Sequence, residues 1–287
     1  MSTILKLDQG TPEWLAHRLK YRNASETPAV LGVSPWTTPY QLWLERTGRA
    51  QVQVNAAMKR GSELEPAARA AYEKLTGFVM EPLVLVEGEY SASLDGITLA
   101  GDLVLEIKCP MRGRSSALWQ AAEARELPEN YFWQVQHQLL VAGAQLAHVF
   151  VFDGQEGVLL EQKPQPERWE TIRRDWDVFM KFIAQDTAPP LSDRDTRERE
   201  DEAWRSAAEK YLGAKRDADH TAAAAENAKA ALVALASHPS ESGAGVSVTR
   251  FWKKGAVDYK RVPALKGVDL EAYRKESRLE VRVSIAS

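Results

Sequence analysis

Residues 90–110, YSASLDGITLAGDLVLEIKCP, place two carboxylates and a lysine inside stretches that otherwise have the composition of buried strands. Between Leu103 and Cys109 the residues are apolar and branched except at Glu106 and Lys108, so the segment reads as a strand carrying two charges that need a reason to be there. Side chains alternate across a strand, which puts Glu106 and Lys108 on one face and Leu105 and Ile107 on the other. Upstream, Asp95 follows Ser91-Ala92-Ser93-Leu94 and precedes Gly96, as at the end of a neighbouring strand entering a turn. Hairpin geometry then lets Asp95, Glu106 and Lys108 meet. A Glu-x-Lys triplet is weak by itself in a chain with 27% charged residues; its setting in an apolar strand is what singles it out. Two carboxylates plus the Ile107 carbonyl are hard oxygen ligands of the kind Mg²⁺ or Mn²⁺ takes. Lys108 is a point charge suited to a scissile phosphate, able to position or help activate a water. The plainer alternative is a buried Glu–Lys pair serving structure alone, which is a weak stabiliser.

Composition bounds the setting. With 287 residues and 44% apolar content the chain can bury a full core and carry an appendage. The formal net charge of −3 means that a nucleic-acid partner must be met by a local basic surface. Cys109 is the sole cysteine, which excludes a disulfide framework, a Cys-rich zinc site and a four-cysteine iron–sulfur cluster. No apolar stretch approaches the length of a membrane span and the first residues lack an apolar signal core, so the expectation is a cytoplasmic protein without a membrane partner.

Working outward, Thr11-Pro12-Glu13 reads as an N-cap, first position and acidic first turn of a helix running to about residue 18 or 19. Asn23, Ser25 and Thr27 form a second capping cluster before a short helix near residues 29–31. Its N-terminus with Ser25 and Arg18 can hold a phosphate; simple capping by Ser25 and a solvated Arg18 is the plainer reading. Residues 59–76 read as a helix ended by Gly77, with Leu64, Ala67, Ala71, Tyr72 and Leu75 facing the core, Arg69 outward, and Glu65 at the edge of the apolar stripe. Residues 78–86 form a strand that joins the two opening ones in a meander. A basic loop with Arg112 and Arg114 follows, and Ser115 or Ser116 caps the next helix. In YFWQVQHQLLVAG, residues 131–143, Tyr131, Gln134 and Gln138 share one helical face while Val135, Leu139 and Leu140 face the core. Strands at 147–153 and 158–160 and a helix at 167–182 complete the body. The composition changes after residue 188, giving a first domain at 1–188 and a second at 189–287. The latter holds an alanine-rich helix at 203–236, a flexible link at 240–245, a hairpin at 246–262 with a basic aromatic tip (Phe251, Trp252, Lys253, Lys254, Lys260, Arg261), a short helix at 270–275 and a last strand at 279–285.

Asp95, ten residues, then Glu106-x-Lys108 resembles the core motif of the PD-(D/E)XK nuclease superfamily. LEIKCP, QGTPEWLAHRLKYRNASE, GSELEPAARAAYEKLTG and YFWQVQHQLLVAG, in this order, resemble the phage lambda exonuclease and YqaJ-type viral recombinase group over about residues 8–185. The resemblance implies an α/β (α+β) fold of the restriction-endonuclease kind, a central mixed sheet flanked by helices, here with a C-terminal helical and β-hairpin extension. It implies Mg²⁺-dependent 5′→3′ hydrolysis of double-stranded DNA from its ends, leaving 3′ tails, with a single-strand annealing protein as partner. Carried over by motif position, Asp95, Glu106, the Ile107 carbonyl and Glu65 hold the metal, Lys108 is the catalytic lysine, and Gln134 is the active-site glutamine. Arg18 and Ser25 hold a terminal 5′-phosphate, reversing the plainer reading, and Tyr131, Arg112 and Arg114 lie at the DNA. A homotrimer is the first expectation for assembly. A structure- or end-directed endonuclease on the same fold is the alternative, and a non-catalytic DNA-binding recombination factor ranks below it because Asp95, Glu106 and Lys108 are all present.

Overall fold

Strand β5, Leu103–Lys108, is buried along nearly all of its length and organises the layers on both sides of it. The computed structural model describes residues 2–7, 10–51, 55–252, 255, 262–265 and 268. The chain divides into two compact units, Met1–Thr196 and Arg197–Ser287. The first contains a mixed seven-stranded sheet in the order β1 (Thr3–Leu5), β3 (Glu81–Glu87), β4 (Tyr90–Ile97), β5, β6 (Leu146–Phe152), β7 (Gly157–Gln162), with β2 (Arg22–Asn23) paired to β4. β5 and β6 are parallel, as are β2 and β4, and the remaining pairs are antiparallel. The parallel step from β5 to β6 is spanned by helices α5 (Ala117–Glu123) and α6 (Glu129–Ala142), the crossover that parallel strands require.

Alternation on β5 sorts the core. Leu103, Leu105 and Ile107 pack with Ala68 and Tyr72 of helix α4 (Ala56–Thr76), Met80 and Phe150. Val104 points the other way, to Val135 and Leu139 of α6, Trp119 of α5, and Leu94 and Val149 of the sheet. On α4 the buried residues are Ala68 and Tyr72, while Leu75 is exposed, so the core stripe sits one position round from the sequence reading. Gly77 ends the helix in the left-handed conformation, at φ 77°, as expected for a helix-terminating glycine. A third cluster joins α6 to helix α7 (Pro166–Ala184) through Trp133, Ile172, Trp176 and Phe179, together with Leu42 and Trp43 of helix α3 (Pro39–Arg46). Helix α1 (Pro12–Lys20) starts at Thr11, whose hydroxyl accepts from the Trp14 N–H at 3.3 Å. Ser25 does not cap the following helix, α2 (Thr27–Val30), which is entered through a 3₁₀ turn at Ala24–Glu26.

The sequence boundary after residue 188 falls short of the end of the first unit. Residues beyond it are tied back: Thr38 donates to Asp195 at 2.6 Å and Arg194 donates to the Ser34 carbonyl. The second unit holds helix α8 (Glu202–Leu235), capped by Asp201 and without a buried residue along its length. Strands β8 (Ser240–Gly243) and β9 (Val246–Thr249) form a hairpin with Ala244 and Gly245 at its turn, both at positive φ. The expected flexible link at 240–245 is therefore the first arm of a hairpin. Phe251 and Trp252 are exposed; Lys253, Lys254, Lys260 and Arg261, and the helix at 270–275 and strand at 279–285, lie outside the described residues. Among the described residues no helix is long and apolar enough to cross a membrane.

Buried histidines give the fold a pH dependence. His137 on α6 is fully buried, pairs through Nδ1 with the Thr27 hydroxyl, and is pushed down to about 3 by burial. Burial also lowers His17 and His148. In the unfolded chain these groups take up protons below about pH 6.5, whereas the folded protein resists. Their contribution is complete above that pH and is lost as pH falls, for His137 by about 1.4 kcal/mol per pH unit until its folded value is reached. Urea titrations should show stability declining below pH 6.5. His137→Gln should lower stability at pH 8 and flatten the decline; an unchanged slope would exclude His137 as a source.

Candidate active site

The sheet opens where the charged residues lie. Between the pairs Glu81↔Ile97 and Leu83↔Leu94, β4 spends one residue more than β3, a bulge that takes in Asp95 and Gly96. Bulges re-aim side chains and end pairing. Here β4 pairs with β5 only at Gly96↔Leu105 and Ile97↔Val104. Beyond that, the Ile107 N–H donates to the Asp95 side chain, Oδ2, at 2.7 Å. A carboxylate has taken the place of a backbone carbonyl in the ladder.

Glu106, on the same strand, is 3% exposed. Its buried charge is matched from three sides. Lys108 forms an ion pair with Oε1 at 2.5 Å, the Gln134 amide donates to the same oxygen at 2.7 Å, and Gln138 donates to Oε2. Lys108 also donates to Gln134 Oε1 at 3.3 Å, and its Nζ stands 5.0 Å from the ring centre of Tyr131. Burial works against the Lys108 charge, but Glu106, then Tyr131 and Asp95, hold its pKa above the usual lysine value. As placed, Lys108 is a cation suited to a phosphate and unsuited to taking a proton. The face Tyr131, Gln134, Gln138 read from the sequence is thus the face that meets Glu106. Gln138, which sequence reasoning left without a role, supplies the bond that frees Gln134 to touch both charged groups.

Glu65 enters from α4, across the sheet from α6. It pairs with Arg69 at 2.5 Å, and Arg69 Nε donates to the Asp95 carbonyl at 2.7 Å. Arg69, expected to face outward, therefore fastens α4 to the bulge; its i,i+4 spacing from Glu65 was the available signal. The Asp95 carboxyl is pushed well above the usual range by burial first, then by Glu106 and Glu65, with Lys108 and the Ile107 N–H opposing. Burial likewise raises Glu65, with Arg69 opposing. Among the described residues no three acidic, His or Cys side chains converge closely enough to hold an ion as placed. Glu65 is paired with Arg69 and Glu106 with Lys108. The donor chemistry nonetheless fits a hard divalent cation: the Asp95 and Glu65 carboxyls are both raised, by burial first and then by neighbouring carboxylates, beside Glu106 and the Ile107 carbonyl, and a cation relieves that repulsion. Cys109 takes no part, its thiol pushed up to about 11 by burial.

Arg18 and Ser25 are brought together, Nη1 to Oγ at 3.1 Å. Arg18 also pairs with Glu26 at 2.7 Å and lies over the Trp14 ring. Glu26 accepts from Asn23 and pairs with Arg46 as well; burial acts to raise its pKa, but Arg18 and Arg46 hold it below the usual value. α1 is registered on β4 by two side-chain bonds, Trp14 Nε1 to Ser93 and His17 to Ser91. The basic loop separates its arginines. Arg114 is tied to Asp153 and Glu156, at 2.7 Å each, so its charge is compensated, while Arg112 is exposed.

Residues 13–145 match the YqaJ-like viral recombinase domain. That match takes in just under half of the chain. The chain is 33% identical over 138 residues to the uncharacterized protein YqaJ of Bacillus subtilis (strain 168), a match covering 46% of this chain and 42% of that protein. The chain thus spans less than half the length of that curated relative. An alkaline exonuclease (LHK-Exo) from Laribacter hongkongensis has the same fold, at 23% identity and a TM-score of 0.53 over 61% of this chain and 94% of that one. The same exonuclease solved in complex with dAMP aligns at 25% identity with equal coverage and TM-score. The matched recombinase domain contains Arg18, Ser25, Glu65, Asp95, Glu106, Lys108 and Gln134.

Gly96 makes the bulge tight. A Cβ there would stand 2.7 Å from the Met80 Cβ and 3.4 Å from that of Leu105. Gly96→Ala should therefore cost about 1–3 kcal/mol by forcing strands apart beside Asp95. Thermal melts measure it; an unchanged midpoint would show that the bulge is not constrained by that contact.

Proposed function

We propose that the first unit is a metal-dependent exonuclease that degrades double-stranded DNA from 5′ ends and leaves 3′ single-stranded tails for recombination. The observation that carries this is the opened ladder between β4 and β5, where Asp95 accepts from the Ile107 N–H and Lys108 stands as a cation beside Glu106 and Gln134. The match of residues 13–145 to the YqaJ-like viral recombinase domain and the shared fold with an alkaline exonuclease support it. The dAMP bound by that exonuclease supports a deoxynucleotide at this site.

Glu65, Asp95, Glu106 and the Ile107 carbonyl would hold Mg²⁺, with Mn²⁺ as a substitute. The ion would supply charge neutralisation at the phosphate and a more acidic bound water. The chain's own groups do the rest. Lys108 neutralises a non-bridging phosphate oxygen and Gln134 fixes the Lys108–Glu106 pair. Water oxygen bonds to phosphorus, the P–O3′ bond breaks, and the 3′ oxygen leaves with a proton. The products are a 5′-mononucleotide and a strand that again begins with a 5′-phosphate, the group the Arg18–Ser25 corner would receive. The second unit is assigned to subunit, partner or DNA contact. A single-strand annealing protein as partner, a homotrimer and a cytoplasmic setting complete the proposal.

Duplexes labelled at either end, with and without a 5′-phosphate, test it in Mg²⁺. The 5′ label should be released first and closed circular DNA should stay intact; cutting of the circle would convert the reading to an endonuclease. Lys108→Ala should lower the rate by about 10²–10³, and full retention of activity would sink the site. Arg18→Ala should erase the preference for phosphorylated ends while leaving the slower reaction on 5′-hydroxyl ends.

A further inference from the structure

Beside the site stands an aromatic side chain that the chemistry above does not use. Trp36 is 66% exposed. Every other tryptophan in the first unit is buried or half-buried, so this one is not needed to fill a core. Its ring centre lies 5.9 Å from that of Tyr131, at an interplanar angle of 52°. Tyr131 in turn has the Lys108 ammonium 5.0 Å from its ring centre. By those two steps the indole is within about 11 Å of Lys108 Nζ, roughly three base-stacking rises of 3.4 Å.

The segment that carries Trp36 is held from both ends. The buried Ser34 hydroxyl accepts from the Trp36 and Thr37 N–H groups, each at 3.2 Å, and the Ser34 carbonyl accepts from Arg194. On the other side Thr38 and Gln41 form a reciprocal capping box at the start of α3, and the Thr38 hydroxyl donates to Asp195 at 2.6 Å. Pro35 fixes the backbone between them. An exposed indole on a tethered loop loses little freedom when it binds, which favours a flat partner. The adjacent groups narrow the class: a phosphate-seeking cation lies behind Tyr131, and nucleobases are the flat groups that arrive attached to phosphates.

We propose that Trp36, backed by Tyr131, is a stacking platform for an unpaired base of the DNA strand whose phosphate lies at Lys108. Trp36 acts by positioning: it touches a base and not the reacting atoms. The inference rests on the nuclease reading, and the experiment keeps the two separable. Anisotropy of labelled duplexes with short single-stranded ends, in Ca²⁺ to suppress cleavage, is measured for the wild type, Trp36→Ala and Trp36→Phe. A matched set carries an abasic site in place of each of the terminal bases in turn. Trp36→Ala should weaken binding roughly 5- to 150-fold, the range that base–aromatic stacking spans. Trp36→Phe should restore most of it, and on DNA abasic at one particular position the wild type and Trp36→Ala should bind equally. Equal binding by wild type and Trp36→Ala on intact DNA overturns the platform, as does an equal loss on intact and every abasic DNA. Wild-type digestion in Mg²⁺ runs in parallel: if the wild type cuts DNA and Trp36→Ala binds normally, the platform alone fails, whereas a wild type that neither cuts nor binds removes the nuclease reading.

Discussion

The hydrogen bond from the Ile107 N–H to the Asp95 carboxylate is the constraint on which the site depends. A sheet in which β4 and β5 stayed zipped would satisfy that N–H with a backbone carbonyl and leave no gap. The extra residue at the bulge breaks the ladder after Gly96↔Leu105, and an unsatisfied buried N–H would then cost about 1–3 kcal/mol. Asp95 removes that cost, yet the same bond holds its carboxylate at the mouth of the gap. Structure and chemistry therefore share one side chain. The Ile107 carbonyl and the charges of Glu106 and Lys108 are delivered by the strand whose partner has been peeled away.

The second constraint is charge. Three carboxylates in partly buried positions repel one another, and the fold answers with Lys108 for Glu106 and Arg69 for Glu65. The Asp95 carboxyl is raised well above the ordinary value by burial first and then by Glu106 and Glu65, and Lys108 offsets this only in part. Neutral amides complete the balance: Gln134 and Gln138 satisfy Glu106 without adding charge. A leucine at 138 would leave a buried carboxylate oxygen unpaired, and a lysine would crowd a second cation against Lys108. Glutamine is the residue that does neither.

Periodicity exposed most of this arrangement, and its failures have local causes. The two-residue alternation of β5 and the shared face of Tyr131, Gln134 and Gln138 were readable because strand and helix periods there are undisturbed. The bulge was not, since an extra residue in β4 shows only against its partner strand. Arg69 was misassigned because a long polar side chain on a helix flank is usually solvated, and its target is a backbone carbonyl that no sequence pattern marks. The core stripe of α4 was displaced by one position for a related reason: alanine-rich helices define a weak apolar face, so packing around Tyr72 decides the rotation. The hairpin at 240–249 escaped notice because serine and glycine read as linker, although Ala244-Gly245 supplies the positive φ values of a tight turn.

The Arg18–Ser25 corner is placed further off, by how α1 sits on β4. Trp14 bonds to Ser93 and His17 to Ser91, with Ser93 two residues from Asp95, a strand distance of about 7 Å. Arg18 lies over the Trp14 ring and reaches Ser25. The spacing between the Arg18–Ser25 corner and the carboxylates is therefore fixed by side-chain bonds and an aromatic contact together with the short β2–β4 pairing that leads into Ser25. Such bonds can be lost without unzipping a strand. A change at Ser93 would consequently loosen α1, and Arg18 with it, while leaving Asp95, Glu106 and Lys108 in place, so the Arg18–Ser25 corner and the carboxylate cluster are separable parts of this fold.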